Sequence, residues 1–348
     1  MAYTTITDPS AYFQSLLYTG NSSTQSVTFD GNSNLQPDWV WTKCRSNTSD
    51  HFLFDTNRGV HKNIHSNDTA AEVDNSNSLT SFDSDGFSMG NVGGMNFNSQ
   101  TYVGWGWKAN GGTTASNTDG TITSTIQANT TAGFSIVTYT GTGSAATIGH
   151  GLGVTPDIII IKTRSNAVDW QVYLNLFGND DEGLFLNTDS AKFSSTNYWN
   201  NGATSSVFGV SNNTGVGANT YTYVAYCFKS IQGYSKIGSY TGNGSGDGPF
   251  VYTGFKPAWL MVKRTDSAND WWIIDNKRDD YQNPFSDLIV ANTNAVENAN
   301  TPRGDFLSNG FKWRVSANAF NASGGSYVYM AFAQNPLVAT NNVIALAR

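Results

Sequence analysis

The sequence predicts an all-β protein built from three tandem β-sandwich units, jelly-roll-like and each of about 100 residues. Three observations lead to this prediction: the composition, a strand motif that occurs three times, and an aromatic strand that closes each unit. Charged residues make up 13% of the chain, about half of the roughly 25% usual in soluble proteins. Aromatics are also 13%, and there are 35 glycines. Neutral turn residues between β-branched and aromatic strands are typical of all-β proteins.

The strand motif begins with a proline, ends in a lysine and is followed by an aspartate at a fixed distance. Its three copies span residues 37–43, 156–162 and 257–263. Each aspartate comes thirteen residues after its proline (37 to 50, 156 to 169, 257 to 270). The residues concerned are Lys43 and Asp50, Lys162 and Asp169, and Lys263 and Asp270. A fixed internal period indicates a tandem repeat, which favours a scaffold or binding protein over a single active site.

Further markers recur in the same order around each proline strand. A Tyr-Thr-Gly motif precedes it, a turn followed by Phe comes later, and an aromatic strand closes the unit. The markers are Tyr18, Phe87 and Tyr102; Tyr139, Phe208 and Tyr223; and Tyr240, Phe311 and Tyr329. They divide the chain into unit 1 (1–108), unit 2 (133–230) and unit 3 (231–348). Residues 109–132 are either a linker or an added pair of strands. The tail from residue 338 could add a strand to a neighbour.

Within each unit, the proline strand and a second strand that starts at the aspartate should form a hairpin with a loop of about four residues. The continuous apolar run Ile158–Ile161 indicates a strand covered on both faces. In this register the lysine lies diagonal to the aspartate on one face. We therefore expect a cross-strand ion pair in every hairpin, contributing about 0.2–1 kcal/mol if it is partly exposed. Its role would be structural and not catalytic.

Charge and cysteine usage exclude several classes of protein. The net charge is −7 and no Lys/Arg cluster is visible, so binding to nucleic acid or to an anionic membrane is not expected. No apolar run is long enough for a transmembrane helix, and Met1–Ile6 does not resemble the start of a signal peptide. Cys44 and Cys227 occupy different positions in their units, which predicts unpaired, buried packing residues.

The sequence contains few signs of chemistry. His61 and His65 have the spacing of a zinc pair, but their surroundings are loop-like and no third ligand recurs nearby, so no metal site is predicted. No nucleophile elbow or phosphate-binding loop is visible, and we predict no catalytic residue and no cofactor. A pair of catalytic carboxylates from distant positions would escape this inspection. The protein is expected not to be an enzyme.

Three tryptophans are candidates for glycan contact. Trp199 lies in the polar loop 198–201, and Trp271 and Trp272 form a pair whose side chains should point to opposite faces of a strand. An outward ring beside Asn and Asp can stack on a sugar, so an array of carbohydrate-binding modules is the alternative function. The other interpretation, which we favour, is that a ring of the pair is buried against the next unit.

Several sequence segments resemble those of a repeat family of tailed-bacteriophage virion proteins. The family is tail-fibre-like and is common in marine phages. The resemblance covers most of the chain. It rests on the opening from Ala2 to Gln14, on Leu35–Trp41, on Thr131–Gly141 and on Ile148–Leu152, which leads into the second proline strand. The family implies no catalytic residues.

The resemblance implies a structural protein in the virion, on the surface of the particle, as a tail appendage or a capsid decoration. No coiled coil, β-helical shaft or separate anchor domain is visible, which favours a short appendage or knob over a long fibre. The expected partners are other virion proteins and copies of the chain itself, because low charge suits packing between copies. For a tail appendage, a trimer is the favoured state. A host-surface glycan is a further partner that this reading allows.

Overall fold

The computed structural model describes residues 3–279 and 283–338, and they are almost entirely β. The all-β fold class is confirmed. The helices are single turns: 3₁₀ turns at Pro9–Ala11 and Asn175–Phe177, α1 at Gly93–Asn96 and α2 at Asn318–Asn321. The strand predicted for the tail after residue 338 lies outside the described residues.

Unit 1 and the following segment contribute eleven strands. Those of unit 1 are β1 (Phe13–Thr19), β2 (Gln25–Val27), β3 (Trp39–Cys44), β4 (Phe52–Asp55), β5 (Lys62–Asn63), β6 (Val73–Asp74), β7 (Leu79–Asp83), β8 (Gly86–Met89) and β9 (Thr101–Trp107). Those of the following segment are β10 (Ala115–Asn117) and β11 (Ser124–Asn129). Residues 109–132 are therefore not a bare linker but add two strands to the edge of the next sheet.

Units 2 and 3 contribute eight strands each within the described residues. Those of unit 2 are β12 (Phe134–Thr140), β13 (Ala146–Gly149), β14 (Ile158–Thr163), β15 (Gln171–Leu174), β16 (Glu182–Phe185), β17 (Phe193–Ser194), β18 (Val207–Val210) and β19 (Thr222–Phe228). Those of unit 3 are β20 (Ser235–Thr241), β21 (Phe250–Tyr252), β22 (Phe255–Arg264), β23 (Trp271–Asp275), β24 (Ile289–Val290), β25 (Gly304–Leu307), β26 (Gly310–Trp313) and β27 (Ser326–Pro336).

Each unit has a main antiparallel sheet with one strand order. The order is β1-β9-β3-β4 in unit 1, β12-β19-β14-β15 in unit 2 and β20-β27-β22-β23 in unit 3. The tyrosine-motif strand thus lies at one side, the closing strand pairs with it, and the proline hairpin follows. A smaller second sheet accompanies each main sheet, with orders β2-β8-β7, β13-β18 and β21-β26-β25.

A stacked pair of tyrosines joins the first and closing strands of every unit. The ring centroids are 4.9 Å apart for Tyr18 and Tyr102, 5.0 Å for Tyr139 and Tyr223, and 4.8 Å for Tyr240 and Tyr327. The closing tyrosine of unit 3 is therefore Tyr327, and the assignment of Tyr329 was wrong. Residues two apart in a strand point to the same face, so both tyrosines reach the same core and the pattern alone did not separate them.

Both faces of each main sheet are buried, and this creates a core that the three units share. One face packs inside its own unit, giving three separate cores. The other faces meet in a central core that contains residues of all three units. Trp39 stacks on Tyr226 at 4.4 Å, Phe228 meets Phe332 at 5.8 Å, and Trp259 of unit 3 lies edge-on to a ring of unit 1. The three sheets thus close into a ring.

The run Ile158–Ile161 shows this double burial directly, as the sequence predicted. Ile158 and Ile160 belong to the central core, whereas Ile159 and Ile161 belong to the core of unit 2. All four are at most 2% exposed. Cys44 and Cys227 are buried and unpaired, as predicted.

Removing a ring from the central core tests how far the units depend on each other. Trp39→Ala should lower the free energy of unfolding by about 3–5 kcal/mol, because the cavity removes contacts with two units. Denaturant unfolding followed by fluorescence and circular dichroism measures this, and both probes should report one transition. Phe97→Ala, at a side chain that is 47% exposed, is the control and should change stability by less than about 0.5 kcal/mol. Separate transitions for the units would contradict the shared core.

Candidate functional site

The three repeated lysines lie at the contacts between units, which we call junctions. Lys162 donates to the carbonyls of Val168 in its own unit at 2.8 Å and of Thr69 in unit 1 at 3.0 Å. Lys263 bonds its own loop and, at 3.0 Å, the Asp189 carbonyl of unit 2. Lys43 donates to the Cys44 carbonyl at 2.8 Å and approaches the Asn294 carbonyl of unit 3 at 3.4 Å. Each lysine, fully buried, thus holds a loop of a different unit.

The repeated aspartates fix the loops that receive these contacts. Asp50, Asp169 and Asp270 accept from the side-chain amides of Asn67, Asn187 and Asn292 at 2.8, 2.7 and 2.8 Å. The same three asparagines accept the backbone N–H of the residue that follows each aspartate. Each Asp–Asn pair therefore ties the hairpin loop to the next stretch of chain.

The predicted ion pair between lysine and aspartate is not a direct contact. Within residues 3–279 and 283–338, the ammonium groups bond carbonyls and the carboxylates bond asparagine amides. The physical reason is the register of the hairpin, in which Lys263 lies opposite Trp271, the residue after Asp270. The aspartates Asp50 and Asp169 likewise lie before their strands, which begin at Phe52 and Gln171. This corrects the sequence-based geometry. The aspartates still act through space, since each raises the pKa of its lysine.

Burial dominates the protonation of the three lysines. It lowers the pKa of Lys43, Lys162 and Lys263 to about 8 in each case, against the partial compensation by nearby carboxylates. An ammonium group in a protein interior loses its hydration, which disfavours the charged form. At neutral pH the groups stay charged and use backbone carbonyls in place of water.

The residue after each aspartate also reaches across a junction. Trp170 donates its indole N–H to the His65 carbonyl at 2.7 Å, and Trp271 donates to the Phe185 carbonyl at 2.8 Å. In unit 1 this position is His51, which accepts from the Trp41 indole on Nδ1 at 2.8 Å. Its Nε2 therefore carries the proton and donates to the Val290 carbonyl at 2.9 Å. Burial lowers the pKa of His51 well below its usual value, so the neutral imidazole replaces the indole.

A buried charged cluster reinforces the junction of units 1 and 2. Arg58 pairs with Asp55, and both side chains are fully buried. Tyr226 of unit 2 donates to Asp55 at 2.7 Å. Glu72 bridges Arg58 at 3.1 Å and Arg164 of unit 2 at 2.9 Å. Burial alone would lower the pKa of Arg58, but Asp55, Tyr226 and Glu72 outweigh it and the pKa is raised.

The junction of units 3 and 1 has the same cluster with one substitution. Arg278 pairs with Asp275 at 2.6 Å and with Glu297 at 2.8 Å. Glu297 in turn pairs with Arg45 of unit 1 at 2.8 Å. The indole of Trp105, which replaces the tyrosine, donates to Asp275 at 3.0 Å.

At the junction of units 2 and 3, apolar residues replace the cluster. Leu174 and Phe177 stand where units 1 and 3 have the aspartate and arginine, and Met330 stands where the tyrosine or tryptophan donates. Leu174 and Met330 belong to the central core, against which Phe177 packs. The donor and the acceptor are absent together, so this exchange leaves neither of them unpaired.

One group of side chains has ligand atoms spaced as a metal site would need. Oxygen and nitrogen atoms of Asp50, His65 and Asp68 lie within 4.8 Å of one another, with His65 Nδ1 at 3.0 Å from Asp68. His61, the predicted neighbour of His65, is not in this group. Burial would raise the pKa of Asp68, but the hydrogen bond with His65 outweighs it and the pKa is lowered, with a smaller contribution from Lys162. Asp50 partly offsets the effect of burial on the pKa of Lys43. We interpret these carboxylates as counter-charges of the buried lysines and propose no metal ion at this group.

Two of the three tryptophans proposed for glycan stacking are buried. Trp199 is 4% exposed and packs edge-on against Tyr173 at 5.3 Å. Trp271 is 2% exposed and lies in the central core. Trp272 is half-buried and packs against Phe320 at 5.4 Å. A sugar ring needs an open aromatic face, so the structure contradicts this use of Trp199 and Trp271, and the burial of Trp271 matches the favoured interpretation.

Comparison with known proteins places the chain in a family. The sequence matches, over residues 8–336, a family described as a domain of unknown function, DUF7483. The chain belongs to this family. No curated protein and no solved structure matches it significantly. Among residues 3–279 and 283–338 of this DUF7483 protein, no helix has the length and apolar character needed to cross a membrane.

The lysine pKa values predict how the stability of this DUF7483 protein changes with pH. The unfolded lysines keep a pKa of about 10.4, above the folded value of about 8. Between these values the unfolded state binds more protons, so the free energy of unfolding should rise with pH, by at most about 1.4 kcal/mol per unit for each lysine. Above about pH 10 the trend should reverse, because unfolded tyrosines ionise there whereas burial raises the pKa of Tyr18 and Tyr139.

Urea unfolding between pH 7 and pH 10 measures this slope, and Lys162→Met is the matched variant. It should lose about a third of the slope because one of three lysines is removed. At pH 7 it should also cost about 1–3 kcal/mol, since the carbonyls of Thr69 and Val168 lose their donor. An unchanged slope in the variant would show that the lysines do not titrate in this range.

The three versions of the charged cluster give a second prediction. Arg58→Ala should destabilise this protein by about 3–5 kcal/mol, because it leaves the Asp55 carboxylate buried without its partner. The triple variant Asp55→Leu, Arg58→Phe, Tyr226→Met copies the junction of units 2 and 3 and should be near neutral or stabilising by about 1–4 kcal/mol. Thermal and urea unfolding compare the two. A triple variant as unstable as the single one would show that the cluster itself is required.

Proposed function

We propose that the protein is a non-enzymatic structural protein of a tailed-phage virion, exposed on the particle surface as a tail appendage or a capsid decoration. The observation that supports this proposal is that the repeated polar residues hold the units together. Lys162, Trp170 and the Asp169–Asn187 pair, like their equivalents, join one unit to another or fix the loops that do so. Polar residues that are repeated in all three units and hold those units together suit a scaffold protein.

A second line of support comes from the closed central core. The indoles, tyrosines and phenylalanines that meet there are nearly all fully buried, which makes the three units one stiff body. Stiffness and resistance to opening suit a protein that remains assembled outside the cell. The variable parts are the loops between the strands, where attachment to other virion proteins and recognition of a host are most readily changed.

The phage assignment itself rests on the resemblance of Leu35–Trp41 and Thr131–Gly141 to virion repeat proteins. A trimer of copies, which the sequence favoured, stays a prediction. The apolar faces of the main sheets already pack against each other within the chain. Contacts with copies or with other virion proteins would then involve loops and edge strands.

Immunogold electron microscopy of intact particles tests the location. Antibodies raised against the purified chain should label purified phage at a defined part of the head or tail, with several gold particles clustered there. Particles incubated with pre-immune serum are the control and should remain unlabelled. If the protein is abundant in the infected lysate but purified particles bind no gold, the result would contradict a place in the virion.

A further inference from the structure

A cavity of about 300 Å³ opens at the junction of units 3 and 1. Unit 1 contributes Phe13 and Gln14 from β1, together with Asp30 and Asn32 from the loop after β2. Unit 3 contributes side chains from the end of β27 and from the turn after β23. The volume is at the lower end of the roughly 300–1,000 Å³ typical of small-molecule sites.

The equivalent place in unit 1 is filled by the carboxylate of Asp38. Its oxygens accept the backbone N–H groups of Ala109, Gly111 and Gly112 at 2.7, 2.8 and 2.6 Å. The equivalence is set by the backbone, because Asp38 O accepts from Thr56 N as Ala258 O accepts from Asn276 N.

In unit 2 the place is filled by an ion pair. Asp157 accepts from Lys229 Nζ at 2.8 Å and from Ser230 N at 2.7 Å. The backbone N–H of Lys229 bonds the Gly133 carbonyl, as the N–H of Ala333 bonds the Tyr234 carbonyl. Unit 3 thus has Ala258 and Ala333 where unit 2 has the aspartate and lysine. Two truncated side chains leave the space open.

The lining of this cavity is neutral and amphipathic. Ala258, Ala333 and the buried ring of Phe13 form an apolar floor. The charges at the rim, Asp30 and Lys277, pair with each other at 2.7 Å. The remaining polar groups are amides and hydroxyls, so a ligand meets hydrogen-bonding groups without a net charge.

Two glutamines give the cavity fixed and unsatisfied polar groups. Gln14 donates to the carbonyls of Ser10 at 2.9 Å and Ser33 at 2.7 Å, and accepts from Gly31 N at 2.7 Å. That network holds the wall in place before any ligand arrives. Gln334 Oε1 is buried and has no hydrogen-bond partner in the described residues. A buried acceptor without a donor is costly, so a rotation of the Gln334 side chain that brings this oxygen to a ligand hydroxyl in the cavity is favoured.

We propose that this cavity binds one neutral saccharide residue. A pyranose has an apolar face for the floor and hydroxyl groups that both donate and accept, which suits amides better than a charged or fully apolar ligand does. The site is separate from Trp199, Trp271 and Trp272. It goes beyond the proposed structural role and does not rest on it, since binding can be measured on the isolated chain.

Saturation-transfer NMR on the full-length protein tests the proposal, with methyl glycosides of neutral hexoses, N-acetylhexosamines and deoxyhexoses as probes. At least one probe should show transfer, and titration calorimetry then gives its Kd. The variant Ala258→Asp with Ala333→Lys copies the pair of unit 2 into the cavity and should weaken binding at least about tenfold. Gln334→Leu removes the unpaired acceptor and should weaken binding in the same direction.

Trp272→Phe leaves the cavity intact and is the control, which should keep the affinity of the native chain. Thermal unfolding of each variant establishes that it folds; if the double variant does not, Gln334→Leu decides. Absence of transfer with every neutral probe would overturn the proposal, as would equal affinity in the cavity variants. Loss of binding only in Trp272→Phe would move the site to that tryptophan. Transfer to a charged amino acid but to no sugar would overturn the ligand class.

Discussion

Burial of both faces of the three main sheets is the constraint on which the rest of the structure depends. A sheet with one wet face could stand alone, but these sheets have apolar or aromatic side chains on each side and must be covered twice. The second sheet of each unit covers one face, and the other two units cover the other. Closing three sheets around one core solves this problem for all of them at once.

Where the units pack against each other, polar loops are removed from water. The residues at the junctions are needed because these loops still require hydrogen-bond partners. A carbonyl at the end of a loop needs a donor once water is excluded. Lys162, Trp170 and their equivalents supply such donors from the adjoining unit. His51 meets the same need for a donor where the indole is missing. Its imidazole is fixed in one tautomer, with Nδ1 accepting from Trp41 and Nε2 donating to the Val290 carbonyl.

Local patterns in the sequence were sufficient for the strands but not for their partners. The proline strand, its hairpin and the double burial of Ile158–Ile161 could be predicted because each depends on neighbours in the chain. The carbonyl partners of Lys162 and Lys263 could not, since Thr69 and Asp189 belong to other units and carry no side-chain signal. Tyr327 was missed because period two in a strand cannot distinguish it from Tyr329.

The unpaired acceptor of Gln334 was equally invisible at the sequence level, although the absence of a lysine near the end of the third closing strand was a usable sign. The burial of individual side chains also could not be predicted from the sequence. Trp199 lies in a polar loop, and only the fold shows that the loop turns its ring inward onto Tyr173.

The ring of units has three junctions, and the peptide chain runs directly through only two of them. The third, between units 3 and 1, is held without a covalent connection by the same type of contact, such as Lys43 with the Asn294 carbonyl and Arg45 with Glu297. Chain continuity is therefore not what holds neighbouring units together.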